Sequence, residues 1–217
     1  DQVKKAFVAS GFSQQEVDKA FEPTQYENHP ALVDKPKGAS LEGYLYPESF
    51  QKTAETSPKT IITASLNEMQ KHLTPELRAG MVRQGLTVHE GVILASVVDQ
   101  EVSNPEDKKV VAQVFLRRLR EGRALESDAT AVYGAIMNGA KPSLTYDSEY
   151  NTYTHKGLPP SPISNVSKSG LDAVANPAKT NYLFFVAGDD GKTYFSQTLE
   201  EHEQLVKEHC KKLCSSQ

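Results

Sequence analysis

The most apolar run in the chain, VHEGVILASVVDQEVS at residues 88–103, ends in acid. Val88, Val92, Ala95 and Asp99 recur on one side of a 3.6-residue repeat, while Ile93, Leu94, Val97, Val98 and Glu101 fall on adjoining sides. A helix that is apolar on most of its faces is a buried one. The pattern therefore predicts a central helix, with Asp99 and Glu101 emerging from its end within one turn of each other. Thr87 and Glu90 stand at capping-box spacing and mark its start. Acids are rarely fully buried, so on this stretch alone a solvated helix end is the simpler reading.

The same periodicity places other helices around it. Residues 1–27 read as two short helices, the first closed by Gly11 and the second opened by the Ser13/Glu16 pair. Residues 28–40, with Pro30, Pro36 and Gly38, read as a loop. Residues 58–73 carry Ile61, Ile62, Leu66, Met69 and Leu73 at helical spacing. Thr74 then caps a helix that has Pro75 first and Gly85 last. Asn104-Pro105-Glu106-Asp107 opens a further helix, which Gly122 ends. Its Arg117, Arg118 and Arg120 are most simply surface residues matched to the helix dipole. Asp128 reads as the N-cap of residues 129–137.

Period-two patterning is scarcer. LEGYLYPESF at residues 41–50 alternates until Pro47 and suits a short strand or an extended aromatic arm. Residues 182–187 and 193–195 read as a hairpin around Asp190-Gly191. Ahead of the hairpin, residues 140–168 show no convincing period and are rich in Tyr, Asn, Thr, Ser and Pro. Loops of this length are commonly functional or disordered, and the tyrosines disfavour disorder. A short helix at residues 171–175 follows, and Thr198 with Glu201 opens a C-terminal helix that presents Leu199, His202, Val206, Cys210 and Leu213 on one side. His202 reads as a packing residue. The fold class expected is α+β: several helices around a central buried helix, with a small mainly antiparallel sheet.

Composition narrows the function. The chain has 217 residues, 38% hydrophobic and 24% charged, with net charge −4. That balance gives no reason to expect nucleic acid, which calls for a basic stripe. No run reaches membrane-spanning length. Cys210 and Cys214 lack the further ligands of a zinc site and make no disulfide framework, so they read as ordinary helix residues. His89-Glu90 begins like a zinc-protease helix, but Ile93 stands where the second histidine would be needed. Nucleophile elbows and phosphate loops do not occur. What remains is acid chemistry, carried by Glu42, Asp99, Glu101, Asp128, Asp147 and Glu149. A carboxylic acid near apolar groups can stay protonated and serve as a general acid, as glycosidic bond cleavage requires.

The blocks LEGYLYPESF, ILASVVDQEVS, VAQVFLRRL, LESDATAVYG, YNTYTHKGLPPSPISN, NPAKTNYLFFV and YFSQTLEEH occur in this order between residues 41 and 202, a span that takes in most of the chain. They resemble the motifs of the MltG/YceG-like family of endolytic murein transglycosylases. The family's A-S-I-[VI]-E-K-E-T-like block reads ASVVDQEV here, so the resemblance maps the catalytic glutamate to Glu101. Asp99 takes the place of the block's first acid and Val102 that of its threonine. The Q-[ST]-D-P-T-like block becomes Glu126-Ser127-Asp128-Ala129-Thr130, keeping the aspartate and losing the proline.

The resemblance implies peptidoglycan glycan strands as substrate and a 1,6-anhydro product, with no metal or organic cofactor. It implies residues 41–217 as the catalytic domain behind an N-terminal helical segment at 1–40. It also implies an N-terminal membrane anchor and a LysM-like subdomain lying largely before this chain, with the catalytic domain on the outer face of the cytoplasmic membrane. A penicillin-binding protein as partner is implied by the family alone. Ser96, Glu42, Asp99, Asp128, Tyr150, Asn151, Thr152, Tyr153 and Pro159 are the expected substrate-binding or supporting residues. Asp128 stands equally as a plain N-cap, Glu42 equally as half of a salt bridge, and Tyr150 and Tyr153 could instead pack the loop. Two rival functions stay open: a muramidase that hydrolyses the same bond, and a peptidoglycan-binding domain without activity.

Overall fold

The computed structural model describes residues 2–216. Among these the helices are α1 (Gln2–Ala9), α2 (Gln14–Ala20), α3 (Pro58–His72), α4 (Pro75–Arg83), α5 (Val88–Glu101), α6 (Pro105–Arg120), α7 (Asp128–Met137), α8 (Lys168–Ala175) and α9 (Leu199–His209), with short 3-10 turns between α2 and α3 and at the C-terminal end. Strands β1 (Phe184–Ala187) and β2 (Thr193–Ser196) form a two-stranded antiparallel hairpin in which Phe185 pairs with Phe195 and Val186 with Tyr194. The α+β expectation holds. No helix among the described residues is long and apolar enough to cross a membrane.

Local signals set most boundaries. Ser13/Glu16, Thr87/Glu90 and Thr198/Glu201 each form a reciprocal capping box. Thr74 and Asn104 cap helices that open on proline, whose missing N–H would be unpaired there anyway. α5 lies at the centre of the core: Val92, Leu94, Ala95, Ser96, Val97 and Val98 have no exposed surface. α8, rich in small residues, packs against α4, α5 and α6, while α7 packs against α5.

Three expectations are corrected. Residues 41–46 are turns rather than a strand. Gly43 has φ +84°, and a Cβ there would lie 2.5 Å from Pro162, so the alternation reflects a coiled segment pressed onto the later loop. Leu41, Tyr44 and Leu45 are buried by this packing, and Tyr44 Oη is 2.7 Å from His89 Nδ1. The N-cap of α7 is Ser127, with Asp128 at the first helical position. The C-terminal helix stops at His209, and Cys210 and Cys214 form a disulfide with Cα atoms 5.4 Å apart.

Candidate active site

Glu101 is the last residue of α5, because Val102 is already extended (φ −144°, ψ 147°). Its carboxyl is largely buried and opens at one edge onto a cleft of about 540 Å³. The cleft is also lined by Val102, Arg118, Glu126, Asp128, Tyr153, the hairpin and α9. Burial pushes the Glu101 pKa up to about 7. The Asp128 charge adds to the rise, whereas a hydrogen bond from Ser127 and the charge of Arg118 oppose it. Desolvation wins, leaving an acid that can hold or release its proton near neutrality. The helix end itself acts in the same direction, since the carbonyl end of the dipole disfavours negative charge.

A chain of hydroxyls places the Ser127 donor. Ser127 Oγ donates to Glu101 Oε1, and its own backbone N–H donates to Thr152 Oγ1 at 3.1 Å. Thr130 Oγ1 donates to the Ser127 carbonyl at 2.7 Å, so its single proton is spent. The 2.7 Å contact between Thr130 and Thr152 must then be donated by Thr152. Thr152 N–H also donates to Thr130 Oγ1, and Glu126 N–H to the Thr152 carbonyl. The YNTY loop is thus docked on the start of α7 and aims Ser127 at the acid. Asn151 organises this loop from within: Nδ2 donates to the carbonyls of Leu144 and Tyr146, and Oδ1 accepts from Tyr153 N–H. Tyr153 Oη donates to Asp128 Oδ1, and burial first and Asp128 second raise the phenol's pKa.

Arg118 corrects the surface reading of the α6 arginines. It is 5% exposed, donates to the carbonyls of Leu125 and Leu183, and pairs with Glu126 at 2.9 Å. One guanidinium therefore ties α6 to the segment before α7 and to the hairpin. Glu126 itself has φ +54°, which non-glycine residues rarely adopt. Strain of this kind gathers at functional sites. Neither Arg118 nor Glu126 stands among the expected site residues, and neither does Ser127. Ser127 was findable, since it lies inside the block that carries Asp128.

The other expected residues divide by place. Asp99 points away from the cleft. Its Oδ1 takes Lys108 Nζ at 2.6 Å and Ser167 Oγ at 2.7 Å, and its Oδ2 takes Ser167 N–H at 2.6 Å. Both members of the ion pair are under a tenth exposed. Ser96 is buried and accepts from Ile163 N–H at 3.0 Å, while its carbonyl accepts from Ser164. These contacts hold the later loop to α5. Tyr150 Oη is 2.6 Å from Ser161 Oγ and its ring packs against Tyr133; Pro159 is buried in the same loop. Glu42 lines a second cleft of about 560 Å³ with Gln100, Tyr133, Ser164 and Asn165, and burial raises its pKa. His202, expected to pack, stacks on Phe184 with centroids 5.3 Å apart and lines the Glu101 cleft.

Comparison with known proteins gives a consistent result. The model of the YceG-like family matches residues 1–208. A Bacillus subtilis protein named endolytic murein transglycosylase is 32% identical over 173 residues, covering 78% of this chain and 48% of the relative. A Streptococcus pneumoniae protein of the same name is 31% identical over 221 residues, covering 95% of this chain and 40% of the relative. The 2.6 Å crystal structure of a YceG-like protein from Listeria monocytogenes superposes with a TM-score of 0.79 at 32% identity, covering 94% of this chain and 72% of that one. The chain spans less than half the length of the two named relatives.

Proposed function

The chain belongs to the YceG-like family, and on that premise we propose that it is the catalytic part of an endolytic murein transglycosylase. It cleaves the β-1,4 bond between N-acetylmuramic acid and N-acetylglucosamine inside peptidoglycan strands and leaves a 1,6-anhydro-muramoyl end. The observation that carries this reading is Glu101: a carboxylic acid with a pKa pushed up to about 7 by burial, opening onto a cleft.

The chemistry needs one such group. Glu101 gives its proton to the bridging oxygen as the bond to C1 of the muramoyl ring breaks. The resulting carboxylate takes the proton of the muramoyl 6-hydroxyl, whose oxygen bonds to C1 of its own ring. No water enters, and Glu101 ends protonated as it began. An intramolecular nucleophile replaces the second carboxylate that a hydrolase requires. Ser127 supports the negative state of Glu101 between the two proton transfers, and Asp128 with Tyr153 orients the glycan. Asp99 and Ser96 support the acid from behind by fixing the end of α5, and Asn151 and Thr152 by fixing the loop. Glu42 and Tyr150 extend the glycan-binding surface around the end of α5, and the buried Pro159 supports it by packing inside the loop that carries Tyr150.

We assign the catalytic domain to residues 41–217, with residues 1–40 as a helical segment packed on it; Val3 and Phe21 share the Glu42 cleft. We place the enzyme on the outer face of the cytoplasmic membrane, anchored there and working beside a penicillin-binding protein that makes new strands. The Cys210–Cys214 disulfide supports that location, because disulfides persist in oxidising compartments.

The pH–rate profile of strand cleavage tests the proposal. An acid that must start protonated predicts a rate that falls as pH rises through about 7, and Glu101→Gln should lose turnover while still binding strands. A rate that keeps rising through this range, or an active Glu101→Gln, would contradict it.

A further inference from the structure

One wall of the Glu101 cleft is built by a device beyond the family match. That match ends at residue 208, yet Cys210, Leu213 and Cys214 all line the cleft. Cys210 ends α9 with φ −121° and ψ 59°, which turns the chain, and its N–H still donates to the Val206 carbonyl. Its sulfur is bonded to Cys214, so residues 210–214 form a closed loop.

A second tie comes from the hairpin turn. The Asp189 carboxylate accepts from three successive backbone N–H groups: Lys211 at 2.9 Å, Lys212 at 3.0 Å and Leu213 at 3.1 Å. These donors hold its pKa below the usual aspartate value. The Asp189 N–H donates in turn to the His209 carbonyl at 2.7 Å. The C-terminal loop is therefore fixed covalently to itself and electrostatically to the turn between β1 and β2.

The lining is divided by chemistry. The ends of α5 and α6 and the start of α7 supply Glu101, Arg118 and Asp128. α9 and the disulfide loop supply Leu199, Val206, Cys210, Leu213 and Cys214, an apolar surface interrupted by the polar His202 ring, and Leu213 is 51% exposed. A pyranose ring has the matching division, with an apolar C–H face and a rim of hydroxyl and N-acetyl groups.

We propose that the disulfide-tied loop is a specificity wall of the active site, holding Leu213 and the disulfide against the C–H face of a sugar beside the bond that Glu101 attacks. This rests on the glycan-cleaving function proposed above. An untied loop would have to be ordered each time a strand binds, and the two ties remove that cost in advance. Contacts of this kind act on binding of the whole strand rather than on the bond-breaking step, so their loss falls on KM rather than kcat.

The test uses the full chain and soluble peptidoglycan strands. Cys210→Ser/Cys214→Ser should raise KM roughly fivefold with a much smaller change in kcat. Dithiothreitol should reproduce the effect on the natural protein and add nothing to the double variant. Leu213→Ala, which keeps the disulfide, should raise KM by itself, an effect that a disulfide serving only stability would not predict. Unchanged KM in the double variant and in Leu213→Ala overturns the wall, as does a loss confined to kcat. If the natural protein cleaves no strands, the function proposed above fails. Calorimetric titration with the same strands then still reads the wall, which is overturned if natural and double-variant proteins bind with equal Kd.

Discussion

Replacing Glu101 by Gln should stabilise the protein at neutral and alkaline pH while leaving it unchanged in acid. The ordinary glutamate pKa is 4.5 and the folded value is about 7. Below pH 4.5 the acid is protonated in both states and burial costs it little. Between the two values the folded state binds the proton and the unfolded state does not, so stability falls as pH rises; above about 7 the full cost is present. At 1.36 kcal/mol per pKa unit, that cost is roughly 3 kcal/mol. Gln is neutral throughout and its amide oxygen can still accept from Ser127. The variant should therefore match the natural protein at about pH 4 and exceed it by roughly 3 kcal/mol at about pH 8. For a chain of this size that is roughly 6–12 °C in Tm. Urea or thermal unfolding of both proteins across this range, with the disulfide intact, reads the difference, and the other carboxylates cancel between them. A gap that does not change with pH would refute the claim that Glu101 is a buried, proton-holding acid.

Other perturbations separate the parts of the site. Ser127→Ala removes a hydrogen bond that favours the carboxylate, so the falling limb of the pH–rate profile should move to higher pH; a downward shift would contradict the assignment. Asp99→Ala leaves Lys108 buried without its counter-ion and should cost roughly 3–5 kcal/mol in urea unfolding, whereas an exposed pair would cost little. A Cβ at Gly170 would meet the Asp99 carboxylate at 2.5 Å, so Gly170→Ala should destabilise by roughly 1–3 kcal/mol, read as a lower Tm. A neutral result would mean that Asp99 is less firmly held than its three contacts imply.

Much of this arrangement is legible from residue order. The acid at the end of the central helix follows from periodicity, and the caps follow from side chains that must satisfy free N–H groups. The misreadings have physical reasons. Leu41, Gly43 and Leu45 alternate like a strand, but only the later loop, with Pro162 pressed on Gly43, shows that the segment must coil. Arg118 stands where the dipole favours a cation, and nothing local reveals that the hairpin and the residues before α7 will close over it. Cys210 and Cys214 are four apart, a spacing that suits one face of a helix. Their pairing depends on the helix ending at His209, and neither glycine nor proline marks that point. The Thr130–Thr152 contact joins segments whose pairing is set by tertiary docking, so the route from loop to acid had no local signature beyond the motif itself.

The most direct test of the central claim is the mass of the fragments released from purified peptidoglycan by the natural protein and by Glu101→Gln. The account predicts strands ending in anhydro-muramic acid from the natural protein and none from the variant. Fragments heavier by one water, with reducing muramoyl ends, would contradict the transglycosylase reading and move attention to Asp128 as a second carboxylate. Anhydro ends that persist in the variant would show that Glu101 is not the acid.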